Sequence, residues 1–134
     1  MITTALETLA ECELLYHHNH GNKEKEFTKV VVFRMAPFRS DEPVKLYDSL
    51  SSYGNLLTFS ISNRNTTIGS ICEVTYPYLT QAYLAYLMAN GKKSDRGCMK
   101  AVIEKTEKNS EILKEAVDNS IYLHQCYFPK LEIL

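Results

Sequence analysis

The feature that most restricts the fold of this chain is a long segment with very few charges. Between residues 46 and 90 only Asp48, Arg64 and Glu73 are charged, whereas six of the nine tyrosines lie there. Within it, residues 78 to 89 have a helical composition and are apolar on nearly every side, apart from one threonine and one glutamine. A helix at the surface of a small domain normally turns one polar face to water. This helix is therefore either the central helix of the core, or it has one face against another chain.

The second of these interpretations predicts a protein interface. Tyrosine and methionine are enriched at interface cores, where a ring buries a large area while its hydroxyl keeps a hydrogen-bond partner. The simplest assembly would be a symmetric homodimer. Its anchors would be the apolar side chains on and just before the helix, namely Tyr76, Tyr78, Tyr83, Tyr86, Leu87 and Met88.

Hydrophobic periodicity predicts the elements of the fold. Their order is helix, strand, helix, strand, strand, helix and helix, over residues 4–17, 27–35, 40–54, 56–62, 67–76, 78–89 and 94 to about 128. This order predicts an α+β fold, with a small antiparallel or mixed sheet of about three strands packed against helices and a long helical C-terminal region. Residues 67–76 also fit helical spacing, so strand and helix both stay open there. The length of 134 residues predicts one domain, residues 1–134.

Charge and cysteine spacing restrict the class and location of the protein. Fifteen basic and sixteen acidic side chains give a net charge of −1. This charge argues against a protein that coats nucleic acid through excess positive charge, although a local basic patch is allowed. The N-terminal residues lack the basic start of a signal peptide, and no segment has the composition of a membrane span. Four widely spaced cysteines without a signal peptide predict reduced thiols and a cytoplasmic location.

A basic turn after the tyrosine-rich helix is the main alternative site. Gly91 and Gly97 allow close approach of the backbone, and the start of the predicted last helix would offer free amides to a phosphate. The segment is not a P-loop, because no glycine stands at the required position before Gly91 and no strand precedes it. Contact with nucleic acid or a nucleotide would use Lys92, Lys93, Arg96 and Lys100.

The histidine cluster YHHNHGNKEK, residues 16 to 25, is the remaining candidate. On a helix, side chains one or two positions apart point in different directions, whereas a zinc site needs ligands that converge on one point. Histidine in a last turn also suits a helix C-terminus, with Gly21 as the residue that ends the helix. We therefore predict no metal and no cofactor. A metal, if bound, would use His17, His18, His20 or His124.

These observations lead to three functional interpretations. The first is a small non-catalytic protein-interaction module, such as an adaptor, an inhibitor or an assembly subunit, that self-associates through the tyrosine-rich surface. The second is a nucleic-acid- or nucleotide-binding regulator that uses the basic turn, residues 92–100. The third is an enzyme of unrecognised type, with Cys98 or the histidines in its site. No known catalytic motif occurs in the chain, so we expect no catalysis.

Overall fold

The computed structural model describes residues 2–20, 27–63, 69–94 and 97–118. In these ranges the helices are α1 (Ile2–His20), α2 (Glu42–Ser51), α3 (Leu79–Ala89) and α4 (Glu107–Asp118). The strands are β1 (Thr28–Arg34), β2 (Thr58–Asn63), β3 (Ser70–Tyr76), β4 (Lys93–Ser94), β5 (Gly97–Cys98) and β6 (Lys100–Ile103). None of the helices in the described ranges is long and apolar enough to cross a membrane.

Four of the strands form one antiparallel sheet in the order β2-β3-β1-β6. The central strands β3 and β1 pair along their full lengths, with Val31 opposite Glu73. The edge strand β6 places Val102 on the other side of Val31, and the edge strand β2 places Ser60 on the other side of Glu73. Strands β4 and β5 form a separate two-stranded ribbon between α3 and β6.

Helix α3 is the centre of the core. It packs against β1, β3 and β6 on one side and against α1 on another. Its side chains Leu79, Ala82, Tyr83, Ala85 and Tyr86 are all buried. A helix covered on several sides needs no polar face, which explains why residues 78 to 89 are apolar nearly all round. Of the two interpretations of this helix, the structure therefore shows the central core helix.

The predicted protein interface is contradicted by the burial of its anchors. Tyr76 and Tyr83 are 0% exposed and Tyr86 is 2% exposed. The hydroxyl of Tyr76 donates a hydrogen bond of 2.7 Å to the carbonyl oxygen of Leu50, so its polar end is satisfied inside the core. Of the remaining predicted anchors, Leu87 is half-buried, and Tyr78 and Met88 are exposed.

A buried carboxylate joins α1 to α3. Glu13 is 4% exposed, and its oxygens accept hydrogen bonds from the backbone N–H groups of Leu79 and Thr80 at 2.6 and 3.0 Å. The hydroxyl of Thr80 donates to the same side chain at 2.8 Å. These N–H groups begin a helix and have no partner within it. Glu13 therefore caps α3 from a different helix and also places a negative charge at the positive end of the α3 dipole.

A buried ion pair closes the loop after β1. Arg34 is 3% exposed, and its Nη2 lies 2.9 Å from the Glu42 carboxylate, which also accepts the backbone N–H of Arg39 at 2.9 Å. The predicted start of α2 at Ser40 to Pro43 is thus confirmed. The Asp41 side chain makes no capping hydrogen bond, and the Glu42 carboxylate bonds to Arg39, which lies before the helix.

The prediction of an α+β fold is confirmed, and so are its first six elements. The sheet has four strands rather than about three, and residues 70–76 of the segment that stayed open form a strand, β3. The predicted long C-terminal helix is wrong in its first part, because residues 97–103 form β5 and β6 and α4 begins only at Glu107. Residues 119–128 of that prediction lie outside the described residues.

Candidate functional site

The two faces of the four-stranded sheet differ in what covers them. In β1 the side chains alternate, with Val30 and Val32 fully buried on the face where α3 packs. Their neighbours therefore point to the opposite face. The other described helices also reach the α3 side: Leu50 of α2 bonds to Tyr76, and Asn109 of α4 bonds to Thr28. We call this covered side the inner face.

The opposite side, the outer face, is built from alternate residues of all four strands. Strand register aligns them in rows across the sheet, because each pair lies directly opposite on neighbouring strands. The outer face consists of Thr58, Ser60 and Ser62 on β2, Ile71, Glu73 and Thr75 on β3, Lys29, Val31 and Phe33 on β1, and Lys100 and Val102 on β6.

One part of the outer face, on and beside β1, is apolar and only half-buried. Phe33 lies opposite Ile71 on one side and opposite Lys100 on the other. One row further along, Val31 lies opposite Val102. Side chains in directly opposite positions are about 5 Å apart at Cβ, so these four apolar side chains form one continuous patch with a single aromatic ring. An apolar patch at the surface is a candidate for contact with a ligand.

Charged and hydroxyl groups surround this apolar patch. Lys29 Nζ lies 3.9 Å from a carboxylate oxygen of Glu104, and both side chains are about 40% exposed. Lys100 is exposed and makes no ion pair within the described ranges. On β2 the hydroxyls dominate, and the Thr58 hydroxyl lies 2.8 Å from that of Thr75. Positive charge is therefore available at the β6 edge and hydroxyls at the β2 edge.

The structure separates Lys100 from Lys92 and Lys93, which the sequence grouped with it in one turn. Lys100 lies on the outer face next to Phe33. Lys93 lies in the ribbon opposite Cys98, and Lys92 borders a cavity at the inner side of the molecule. Arg96 lies outside the described residues. The expected helix start at this turn is wrong: the segment is a two-stranded ribbon, so it offers no row of free helical amides to a phosphate.

The cavity on the inner side is a weaker candidate. It has a volume of about 190 Å³ and lies between α2, the end of α3 and the ribbon. Its charged lining is largely engaged within the protein, because Arg34 bonds to Glu42 and Lys45 Nζ lies 3.0 Å from Asp41. Lys92 is left at its border. The outer face offers more unengaged groups to a ligand.

The histidines belong to α1 rather than to a loop after it. The His17 ring meets the rings of Tyr16 and Tyr78 edge-on, at centroid distances of 6.0 and 6.5 Å, and its Nε2 is 4.0 Å from Glu13. His18 is exposed, and His20 is the last residue of α1. His124 lies outside the described residues. Within the described ranges no group of three or more His, Cys, Asp or Glu side chains could hold a metal ion.

The sequence analysis missed the side chains at the centre of the outer face. Val31 lies between two fully buried valines of β1 but is itself only half-buried. The signal that could have located this surface is the alternation of Lys29, Val31 and Phe33 with the buried residues of the same strand. That alternation becomes informative only once β6 and β3 are known to flank β1.

Comparisons with known proteins give similarity at the level of solved structures. No protein-family model matches the chain, and no curated protein does. A solution structure of SR1-RRM1 from Plasmodium falciparum in complex with ACAUCA RNA covers 61% of this chain and 89% of its own, at 11% identity and a TM-score of 0.46. The RRM domain of S. pombe Puf1 covers 59% and 90%, at 18% identity and a TM-score of 0.44. The N-terminal RNA binding domain of a hypothetical protein covers 61% and 83%, at 18% identity and a TM-score of 0.45.

The first functional interpretation of the sequence, a protein-interaction module, is therefore corrected. Three of its six anchors, Tyr76, Tyr83 and Tyr86, lie in the core, where they cannot contact a partner protein.

Proposed function

We propose that this chain binds single-stranded nucleic acid on the outer face of its four-stranded sheet. The observation that carries the proposal is the half-buried ring of Phe33 between the apolar side chain of Ile71 and the exposed cation of Lys100. A base is a flat apolar ring joined to a negative phosphate, so it needs an aromatic or aliphatic platform with a cation beside it. The row formed by Ile71, Phe33 and Lys100 supplies an aliphatic side chain, an aromatic ring and a cation in neighbouring positions.

The shape of the outer face favours a single strand over a duplex. In a duplex the bases are stacked inside and only their edges are reachable from a groove. None of the described helices protrudes from this sheet surface, so it cannot enter a groove, but splayed bases can lie flat on it. The hydroxyls of Ser60 and Ser62 on β2 can then bond to base edges or sugars at the side of the patch.

The charges of the outer face predict modest affinity. Lys29 and Lys100 are its cations, Lys29 is already close to Glu104, and Glu73 adds a negative charge. With about two phosphates neutralised, the logarithm of affinity should fall with the logarithm of salt at a slope of roughly −1.4. We expect a dissociation constant of roughly 1–100 µM near physiological salt.

Fluorescence anisotropy with a labelled single strand of about ten nucleotides tests the proposal. Phe33→Ala should weaken binding about tenfold, because one base loses its stacking partner. Tyr78→Ala is the matched control, since it removes an aromatic side chain that is 52% exposed and lies next to α1 rather than on the outer face. Equal affinity of wild type and Phe33→Ala, or equal affinity for a duplex of the same sequence, would contradict the proposal.

Three further predictions accompany this function. We propose that residues 1–134 form one domain, from chain length, and that it works in the cytoplasm, from the widely spaced cysteines. Self-association stays a prediction, without the tyrosine surface that suggested it. Native mass spectrometry of the whole chain reports the number of subunits and any nucleic acid that copurifies.

A further inference from the structure

The least expected side chain of the outer face is Glu73 in its middle. It lies on the central strand β3, directly opposite Ser60 on one side and Val31 on the other. Its side chain is exposed and makes no hydrogen bond or ion pair within the part of the chain that the structure describes. The nearest described cation on β1, Lys29, is close to Glu104 instead. The carboxylate is therefore free to bind a ligand.

A carboxylate in this position restricts which base can lie beside it. It accepts hydrogen bonds and donates none, and its two oxygens suit two parallel donors. On the Watson–Crick edge, guanine presents the adjacent donors N1–H and N2–H. Adenine and cytosine each place a ring nitrogen acceptor beside their amino group, and uracil or thymine places two carbonyls around a single N–H. Guanine is the base whose edge offers two neighbouring donors to a carboxylate.

We propose that Glu73 makes the outer face selective for guanine, by accepting N1–H and N2–H of one base. This inference rests on the proposed function. A base stacked on Phe33 lies diagonally across from Glu73, because Glu73 faces Val31 and Phe33 is two residues further along β1. Diagonal neighbours are about 7 Å apart, which is within the reach of a base edge and a glutamate side chain.

The negative charge also orients the strand. A phosphate is repelled by the Glu73 carboxylate and attracted to Lys100 at the β6 edge, beside Phe33. The backbone should therefore run along the margin of the outer face while base edges point to its middle. The same carboxylate that weakens binding to phosphate thus favours the one base that can pair with it.

The test compares oligonucleotides that differ in a single base. Strands of about ten uridines carry guanosine, inosine, adenosine or cytidine at one central position, and affinity is measured by anisotropy at one salt concentration. Inosine differs from guanosine only in lacking the N2 amino group. For the wild type we expect guanosine to bind about tenfold more tightly than inosine, since one charge-assisted hydrogen bond is lost. Adenosine and cytidine should bind no better than inosine.

Two variants of Glu73 show whether its carboxylate oxygens select the base. Glu73→Ala should bind all four strands with equal affinity. Glu73→Gln carries one donor and one acceptor, a pair that the edges of the other bases match as well, so the preference for guanosine should be lost. Glu104→Gln is the matched control, because it removes an equal charge at the margin of the sheet, near Lys29, and should keep the guanosine preference.

Three results would overturn the inference. They are equal binding of guanosine and inosine by the wild type, an unchanged guanosine preference in Glu73→Gln, and loss of that preference in Glu104→Gln. Binding of all strands without preference contradicts this inference and leaves the proposed function standing. No binding to any strand contradicts the proposed function, and the inference with it.

Discussion

At the scale of single residues, Gly69 fixes how the chain enters β3, the strand that carries Ile71 and Glu73. Its φ is +75°, and an added Cβ would meet the backbone carbonyl oxygens of Arg34 and Met35. Gly69→Ala therefore combines an unfavourable backbone conformation with a close contact that neither strand can relieve by moving a side chain. We expect the free energy of unfolding to fall by about 3 kcal/mol, measured by urea denaturation.

Gly91 provides the control for this substitution. Its φ is +82°, but no atom lies within 4 Å of the position of an added Cβ. Gly91→Ala carries the conformational cost alone, so it should lower stability by only about 1 kcal/mol. Equal losses for the two variants would show that the carbonyl oxygens are not close to Gly69 in solution.

Residue-scale function was the hardest part to predict from the sequence. The tyrosines formed the most visible pattern, yet Tyr76, Tyr83 and Tyr86 are buried, because sequence composition does not tell a core helix from an interface helix. Lys100 was identified as a ligand-binding candidate, although as part of a helix start. Phe33 and Glu73 went unnoticed as a pair, because their proximity comes from the pairing of β1 with β3, across about forty residues of chain.

At the scale of elements, the contact between α1 and α3 depends on Glu13. Glu13→Ala leaves the first N–H groups of α3 without their side-chain acceptor in a buried site. We expect a loss of about 2–3 kcal/mol in the free energy of unfolding. Glu11→Ala, at an exposed position of the same helix, removes an equal charge and should change stability by less than about 0.5 kcal/mol. A similar small effect of both substitutions would show that Glu13 does not cap α3.

The elements that the sequence predicted well are those whose local signals agree with their packing. The start of α2 and the alternation in β2 are examples, since an early proline with an acidic first turn and two-residue periodicity each describe a short segment. Residues 100–103 were predicted as helix because Met99, Val102 and Ile103 fit helical spacing. In the structure, Ala101 and Ile103 point inward and pairing with β1 makes them a strand, so tertiary contacts override the local pattern.

The end of that strand carries a local signal that went unused. Thr106 stands before α4, and its hydroxyl accepts the backbone N–H of Asn109 at 3.1 Å. This is the hydrogen bond of an N-cap residue. Asn109 in turn donates to the carbonyl oxygen of Glu104, which fixes the turn between β6 and α4. Read as a cap rather than as a polar position inside a longer helix, Thr106 would have separated the two elements.

At the scale of the whole molecule, the two faces of the sheet differ in how deeply their side chains are buried. The inner face holds the large buried side chains and the helices that cover them, and the outer face keeps an apolar patch half-exposed. Alternation within each strand makes the division strict, because a shift of one residue in register would exchange the two sets. Cys72 and Glu73 show this on adjacent positions: one thiol is 0% exposed in the core, and the next side chain is available to a ligand.

Burial of Cys72 makes the stability of the whole fold sensitive to alkaline pH. Burial, with a smaller contribution from the neighbouring Glu73 charge, raises the pKa of the Cys72 thiol from 9.0 to about 12. Above about pH 9 the thiol ionises in the unfolded chain but stays neutral in the folded one, so the unfolded state gains stability as pH rises toward 12. Below pH 9 both states are neutral and the effect vanishes. We expect Cys72 to remove about 2 kcal/mol of stability at about pH 10.5 relative to about pH 7.

Urea denaturation at these two pH values, with and without the thiol, isolates this contribution. Burial also raises the pKa of Tyr76, so part of the alkaline loss should persist in every variant. Cys72→Ala should lower stability at neutral pH, through the lost contacts of the sulfur, but should reduce the further loss at alkaline pH by about 2 kcal/mol. Cys98→Ala removes an exposed thiol and should leave the alkaline loss as in the wild type. An identical alkaline loss in wild type and Cys72→Ala would place the Cys72 thiol in contact with water, and with it the inner face of β3.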